Sequence, residues 1–439
     1  MPTWTKEQED AIYQSGKNIL VAAAAGSGKT AVLVERIIQK VLNKEDPVNI
    51  DQLLVVTFTN AAAQEMRNRI GEALEEALAN DPKSNHLKKQ LSLLQHASIS
   101  TLHSFCMELV RKYAYHLDID PKFRIADDVE ADLIRQDVLE QLFELWYGEK
   151  EAEDMQSTFF GVVDRFSNDR NDLDLESLIL KLHEFSIQHP NPDKYLEQLK
   201  NTYDVGDSVS EPEWLAILKK EVTRQLEVMT LRTEEALQLT KEADGPFHYA
   251  DQLDADKEML MQAKGALAIS WDEARTIFTT SKFQQLSRKK VDCNEEKKET
   301  VKAIRDDVKK RWKKISEEWF QRSLSNHLED MRTLYPVIAH VTEMIKQFHE
   351  QYQEEKKERG LVDFSDLEHF ALDILLEDKE SKLPSAIAKQ LQEKYKEIMV
   401  DEYQDTNIVQ ETIVQSVANQ IGQGNMFMVG DVKQSIVRP

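Results

Sequence analysis

Nine residues near the amino terminus, Ala22-Ala23-Ala24-Ala25-Gly26-Ser27-Gly28-Lys29-Thr30, constrain the fold more than any other stretch. They follow the apolar run Asn18-Ile19-Leu20-Val21 and precede a helical pattern in which Val32, Leu33, Arg36, Ile37 and Lys40 recur at helical spacing. The order is therefore strand, bare-backbone loop, helix. Ala23-x-x-x-x-Gly28-Lys29-Thr30 has the spacing of a phosphate-binding loop in the context that gives such a match meaning. Small residues leave successive N–H groups free to face phosphate oxygens, and the helix start adds partial positive charge. Ala23 stands where the pattern usually has glycine.

The same alternation continues. Gln52–Thr57 reads as a buried strand and Ala97–Thr101 as a short one, and Asn60–Leu78 and Leu102–Tyr115 as the helices that follow them, the first begun by Asn60 as cap. Far downstream, Glu397–Val400 and Asn425–Val429 are again apolar runs, separated by a helical pattern over Asn407–Ile421. Alternation of this kind implies an α/β fold with a parallel sheet. Between about residues 126 and 355 strand signals nearly vanish and long helical periodicities dominate. The expected organisation is a P-loop domain in two parts, 1–125 and 356–439, interrupted by a mostly α-helical insertion over 126–355. The run 287–314 reads as a charged helix or helix pair, either a solvated face laced with i,i+4 ion pairs or a surface that touches phosphates.

Composition narrows the function classes. No apolar run approaches the roughly 18 residues needed to span a membrane, and the start of the chain lacks the pattern of a secretory signal. Two cysteines, Cys106 and Cys293, are too few for a disulfide framework. A cytoplasmic setting is expected. The net charge of −23 argues against a nucleic-acid partner. A local basic groove escapes that argument, because fields are screened over about 8 Å at physiological salt.

A phosphate loop needs further groups to act on what it binds. Asp401-Glu402 ends the Glu397–Val400 run, at the strand edge where open α/β sheets bind ligands. There Asp401 suits a metal ligand shared with the Thr30 hydroxyl, and Glu402 a base that orients water. Lys29 would reach the terminal phosphates of a nucleotide. Gln8 can pair with adenine, or can complete the capping box Thr5-Lys6-Glu7-Gln8. Gln434, beyond Gly430-Asp431, reads as a sensor of the terminal phosphate or as a loop amide. Phe58, Thr59 and Asn60 close the second strand. By local pattern Phe58 belongs to the core and Asn60 to a helix cap; the rival reading is a stacking surface for a single nucleic-acid strand.

Taken together, AAAGSGKT, TFTNAAAQEMRNRI, STLHSFC, VDEYQDT and VGDVKQSI, in this order, resemble the motifs of superfamily 1A DNA helicases of the UvrD, Rep and PcrA kind. STLHSFC, GLVDFSDLE at 360–368 and VGDVKQSI look closest to the AddA branch, the helicase–nuclease subunits of bacterial AddAB complexes. The resemblance implies a RecA-like domain that uses ATP and Mg2+, and a motor that moves 3′ to 5′ on single-stranded DNA beside a duplex. It implies a hetero-oligomer with an AddB-like nuclease subunit. The implied role is double-strand-break repair and homologous recombination. It also implies that Gln8 reads adenine and that Ala23, Ala24, Ala25, Gly26, Ser27, Gly28, Lys29 and Thr30 cradle the phosphates. In the same way it assigns Asp401 to the metal, Glu402 to the base and Gln434 to coupling. Phe58, Thr59, Asn60 and His103 fall on the strand path, which reverses the local reading of Phe58. Such a family continues differently after Gln434-Ser435-Ile436. The chain is thus expected to be an N-terminal fragment without the second RecA-like domain, and by itself a weak ATP binder and poor ATPase.

Overall fold

The computed structural model of the protein describes residues 4–24, 26–43, 45–117, 119–148, 153–168, 171–206, 212–419 and 424–431, and the side chains of these except 153–158. Ala25 and Gln434 lie outside the described residues. The chain forms two compact units, Met1–Leu196 with Glu343–Pro439 and Glu197–Thr342. No helix among the described residues is long and apolar enough to cross a membrane.

In the first unit five strands form one parallel sheet: β1 (Ile19–Ala22), β2 (Leu53–Thr57), β3 (Ser98–Thr101), β4 (Glu397–Val400) and β5 (Met426–Gly430), in the spatial order β1-β5-β4-β2-β3. The registers Ala22↔Gly430, Met428↔Val400, Val400↔Val56 and Thr57↔Thr101 bring all five carboxyl ends to one edge. Helices cover both faces, which is why β2 is buried along its whole length and reads as an unbroken apolar run. On one face Leu54, Val56, Ile398 and Val400 pack with Phe105 of α4 (Leu102–Tyr113), Leu372 of α5 (Phe364–Leu375) and Ile413 of α6 (Ile408–Val417). On the other, Leu53, Val55, Met399 and Phe427 meet Leu33 and Ile37 of α2 (Lys29–Leu42) and Ile70 and Leu74 of α3 (Asn60–Asn80).

One charged side chain lies inside that second face. Arg36 of α2 is 1% exposed. Its Nε donates to Glu397 Oε1 at 2.8 Å, its Nη1 donates to the Ala11 carbonyl at 2.6 Å, and its guanidinium lies 4.5 Å from the Phe427 ring centre. Lys40, one turn on, reaches the other Glu397 oxygen at 2.8 Å. The ion group joins the last turn of α1 (Lys6–Tyr13), the middle of α2 and the start of β4.

The second unit is helical. Glu213–Lys241, Ala250–Ile269, Trp271–Thr280 and Glu295–Trp319 enclose a core in which Phe278 stacks on Trp312 and Phe320 with ring centres 4.2 and 4.3 Å apart. The charged run differs from the expected helix or helix pair. Ser281–Asn294 is not helical, and the helix starts at Glu295, where the Asn294 side chain accepts from the N–H groups of Glu296 and Lys297. From there the face carries pairs such as Lys298–Glu295 at 2.6 Å and Arg311–Asp307 at 2.8 Å. Two other boundaries move. The helix after β3 ends at Tyr113 and gives way to a 3-10 turn, and α6 spans Ile408–Val417, inside the longer expected stretch. The cap of α3 is Thr59, whose hydroxyl accepts from Ala62 N at 3.1 Å, so Asn60 is the first helical residue.

Removing one partner of a buried ion pair leaves an uncompensated charge, typically about 3 kcal/mol or more. Arg36→Met is therefore expected to lower unfolding stability by about that amount even though Lys40 stays near Glu397. Urea unfolding followed by circular dichroism checks this, and a loss below about 1 kcal/mol would mean that the group is not a lock.

Candidate functional site

The loop after β1 begins as a continuation of the ladder, with Ala23 N donating to the Gly430 carbonyl at 3.1 Å. It then turns through Ser27 N to the Ala24 carbonyl at 3.2 Å. Gly26 and Gly28 have φ of 75° and 81°. In that left-handed region a side chain is disfavoured, so these two glycines are what the turn requires. Gly28 caps α2 and Lys29 and Thr30 open it, both half-buried. Of its two readings, Gln8 takes the capping one. Its Oε1 accepts from Thr5 N at 2.9 Å and its backbone N donates to Thr5 Oγ1 at 3.3 Å, which is the capping box. Its Nε2 donates to the Ser27 carbonyl at 3.1 Å, so the side chain also rests on the loop.

Two strands away, Asp401 N still donates to the Val56 carbonyl at 2.9 Å, which fixes its carboxyl group at the edge of the sheet. Burial pushes the Asp401 carboxyl above its usual pKa, the neighbouring Glu402 charge pushes it further, and Lys29 opposes both. A buried carboxylate short of compensating charge suits a divalent cation, and Mg2+ prefers such oxygens together with a hydroxyl and water. Thr30 and Asp401 are the residues that would hold it. The following residue, Glu402, has φ of 51°, unusual for a residue with a side chain. Lys29 Nζ comes within 3.7 Å of Glu402 Oε2. Residues 373 positions apart thus meet at one edge.

The residues placed on the strand path border the same place. A cleft of about 190 Å3 is lined by Thr57, Phe58, His103, Asp401, Glu402 and Gln410 among others. Phe58 is 59% exposed, so its local reading as a core residue is wrong: the chain leaves the sheet at Thr57, and Phe58 sits in the turn before α3. Thr59 and Asn60 are exposed beside it. His103, at the start of α4, lies 3.0 Å from Glu368 Oε1, which also accepts from Gln410 Nε2 at 2.7 Å. Glu368 is buried, and sequence reasoning gives it no role. Its position in GLVDFSDLE is the available signal. Sequence reasoning misses Gln404 too. Its mark in the sequence is its place in VDEYQDT, two residues after Glu402.

A parallel sheet with a glycine loop between β1 and α2, and an acid pair at the end of β4, defines a RecA-like P-loop domain. The comparison with known proteins is specific. The UvrD/REP helicase N-terminal domain family matches residues 4–438, and the chain belongs to that family. It is 56% identical over its whole length to an ATP-dependent helicase/nuclease subunit of Oceanobacillus iheyensis, and 47% identical over 99% of its length to the proteins of the same name in Bacillus cereus strain AH187 and Bacillus thuringiensis subsp. konkukian. It spans 35% of each of these relatives, about a third of their length.

Proposed function

We propose that this chain is the first motor domain of an ATP-dependent DNA helicase belonging to a two-subunit helicase–nuclease. The observation that carries the reading is the approach of Lys29 to Glu402 across the sheet edge. It supports one catalytic centre built from the loop and the acid pair. In this reading the loop N–H groups and Lys29 bind the β and γ phosphates, and Thr30 and Asp401 hold Mg2+. The metal, when bound, neutralises charge that develops on the phosphates. Glu402, about a third exposed in its side chain, orients water and takes its proton. Gln8 meets the base from beside the loop.

Single-stranded DNA is the partner of the neighbouring cleft. Phe58 supplies a stacking face, and Thr59, Asn60 and His103 supply polar contacts along the strand. Movement 3′ to 5′, Gln434 as the link between phosphate and strand, a nuclease partner of the AddB kind and work in double-strand-break repair and recombination in the cytoplasm complete the proposal. The relatives' shared name, a helicase/nuclease subunit, favours the nuclease partner. The acidic charge of −23 favours a second reading, a nucleotide-dependent docking module that ignores DNA.

Fluorescence anisotropy of this chain with labelled single-stranded DNA separates the two. The helicase reading expects affinity that falls with salt at a slope of about −0.7 per phosphate contact, and a loss of about tenfold on Phe58→Ala, since stacking contributes about 1–3 kcal/mol. Binding that is absent or independent of salt favours the module. In the full-length protein, Lys29→Ala should abolish ATP hydrolysis while sparing most DNA binding. Glu402→Gln should keep ATP binding and lose turnover by about 100-fold or more. Near-normal rates of ATP hydrolysis in either variant contradict the assignment.

A further inference from the structure

The side chain of Gln404 joins the acid pair to the end of β5. Its Nε2 donates to Glu402 Oε2 at 2.8 Å and to Asp405 Oδ2 at 3.1 Å, and its Oε1 accepts from Asp431 N at 2.9 Å. Chemistry sets which way the amide faces: turned over, it would set its carbonyl oxygen against two carboxylates and its NH2 against an N–H group. The carboxylate it holds belongs to a residue whose backbone is in the left-handed region, a conformation that persists only where surrounding contacts determine it. The approach also needs Gly430. A Cβ there would fall 2.5 Å from Gln404 Oε1 and 3.3 Å from Gln404 N. Glycine at the end of β5 thus leaves room for the amide.

We propose that Gln404 is the positioning residue of the catalytic base: it fixes the Glu402 carboxylate against the backbone of β5, so that Lys29 and water meet that carboxylate in one orientation. The inference rests on the reading of Glu402 as the base. No bond is made or broken at Gln404. Its hydrogen bond to Glu402, anchored by the one from Asp431 N, aims a carboxylate whose own backbone is strained.

The test uses the full-length protein and its DNA-stimulated ATP hydrolysis. Gln404→Met removes all three contacts. Gln404→Glu keeps an acceptor for Asp431 N–H and loses the donor to Glu402. Gly430→Ala leaves Gln404 in place and pushes its amide away. Each should lower kcat about tenfold or more, with KM for ATP within about threefold and an unchanged melting midpoint. Glu402→Gln serves as the reference, and adding Gln404→Met to it should cost nothing further, because both act through one carboxylate. Normal kcat in Gln404→Met and Gly430→Ala, or a fully additive loss in the double variant, overturns the positioning role while the base assignment stands. Turnover that survives Glu402→Gln overturns the base reading instead. Should Gln404→Met fail to fold, Gln404→Glu and Gly430→Ala decide.

Discussion

Helix α2 is tied to strand β4 by ion pairs at both ends. Lys29, at the start of the helix, meets Glu402 just past the end of the strand, and Arg36 and Lys40 meet Glu397 at its beginning. The two elements therefore run in opposite directions, and their lengths agree. Eleven residues of helix rise about 16 Å, and five residues of strand cover about the same distance. The inner group, around a guanidinium that is 1% exposed, fixes the register, because neither Arg36 nor Glu397 can be left buried alone. The outer pair is then delivered to the edge of the sheet. A slip of one helical turn would part Lys29 from Glu402, and the loop from the acid pair.

Parallel strands supply the rest. All five carboxyl ends lie on one side, so the loop after β1, the acids after β4, the turn after β2 and the start of α4 become neighbours although they are spread over some 400 residues. Phe58, His103, Asp401 and Glu402 share a cleft for that reason alone. A strand of nucleic acid bound there would lie beside the groups proposed to cleave the nucleotide. That proximity gives a motor a short route between its two ligands.

Much of this architecture was legible in the sequence, and the exceptions have causes. Strands β2, β4 and β5 stood out as apolar runs, all five strands were found within a residue or two, and α2 was recognised because its apolar positions repeat at helical spacing. Phe58 misled because an aromatic after LLVVT prolongs the apolar run, and local pattern does not say where a chain leaves a sheet. The stretch 287–294 misled because its charge density resembles that of the helix it precedes. Asn294 followed by Glu295-Glu296 was a readable cap and acidic first turn. Arg36 and Glu368 were not legible in their roles, because their partners are 361 and 265 residues away and no short window contains them. Gln404 stands two residues from Glu402, but its anchor at Asp431 is 27 residues on.

The central claim is that the loop after β1 and the acid pair after β4 form a single nucleotide and metal site. The most direct test is a crystal structure of the protein with ADP and Mn2+, using the anomalous signal of manganese to locate the ion. The account predicts an ion about 2.1 Å from Thr30 Oγ1, with the Asp401 carboxylate in contact directly or through one water, and the diphosphate against Lys29. An ordered nucleotide whose ion lies away from Thr30, or from which Asp401 is separated by more than one water, would contradict it.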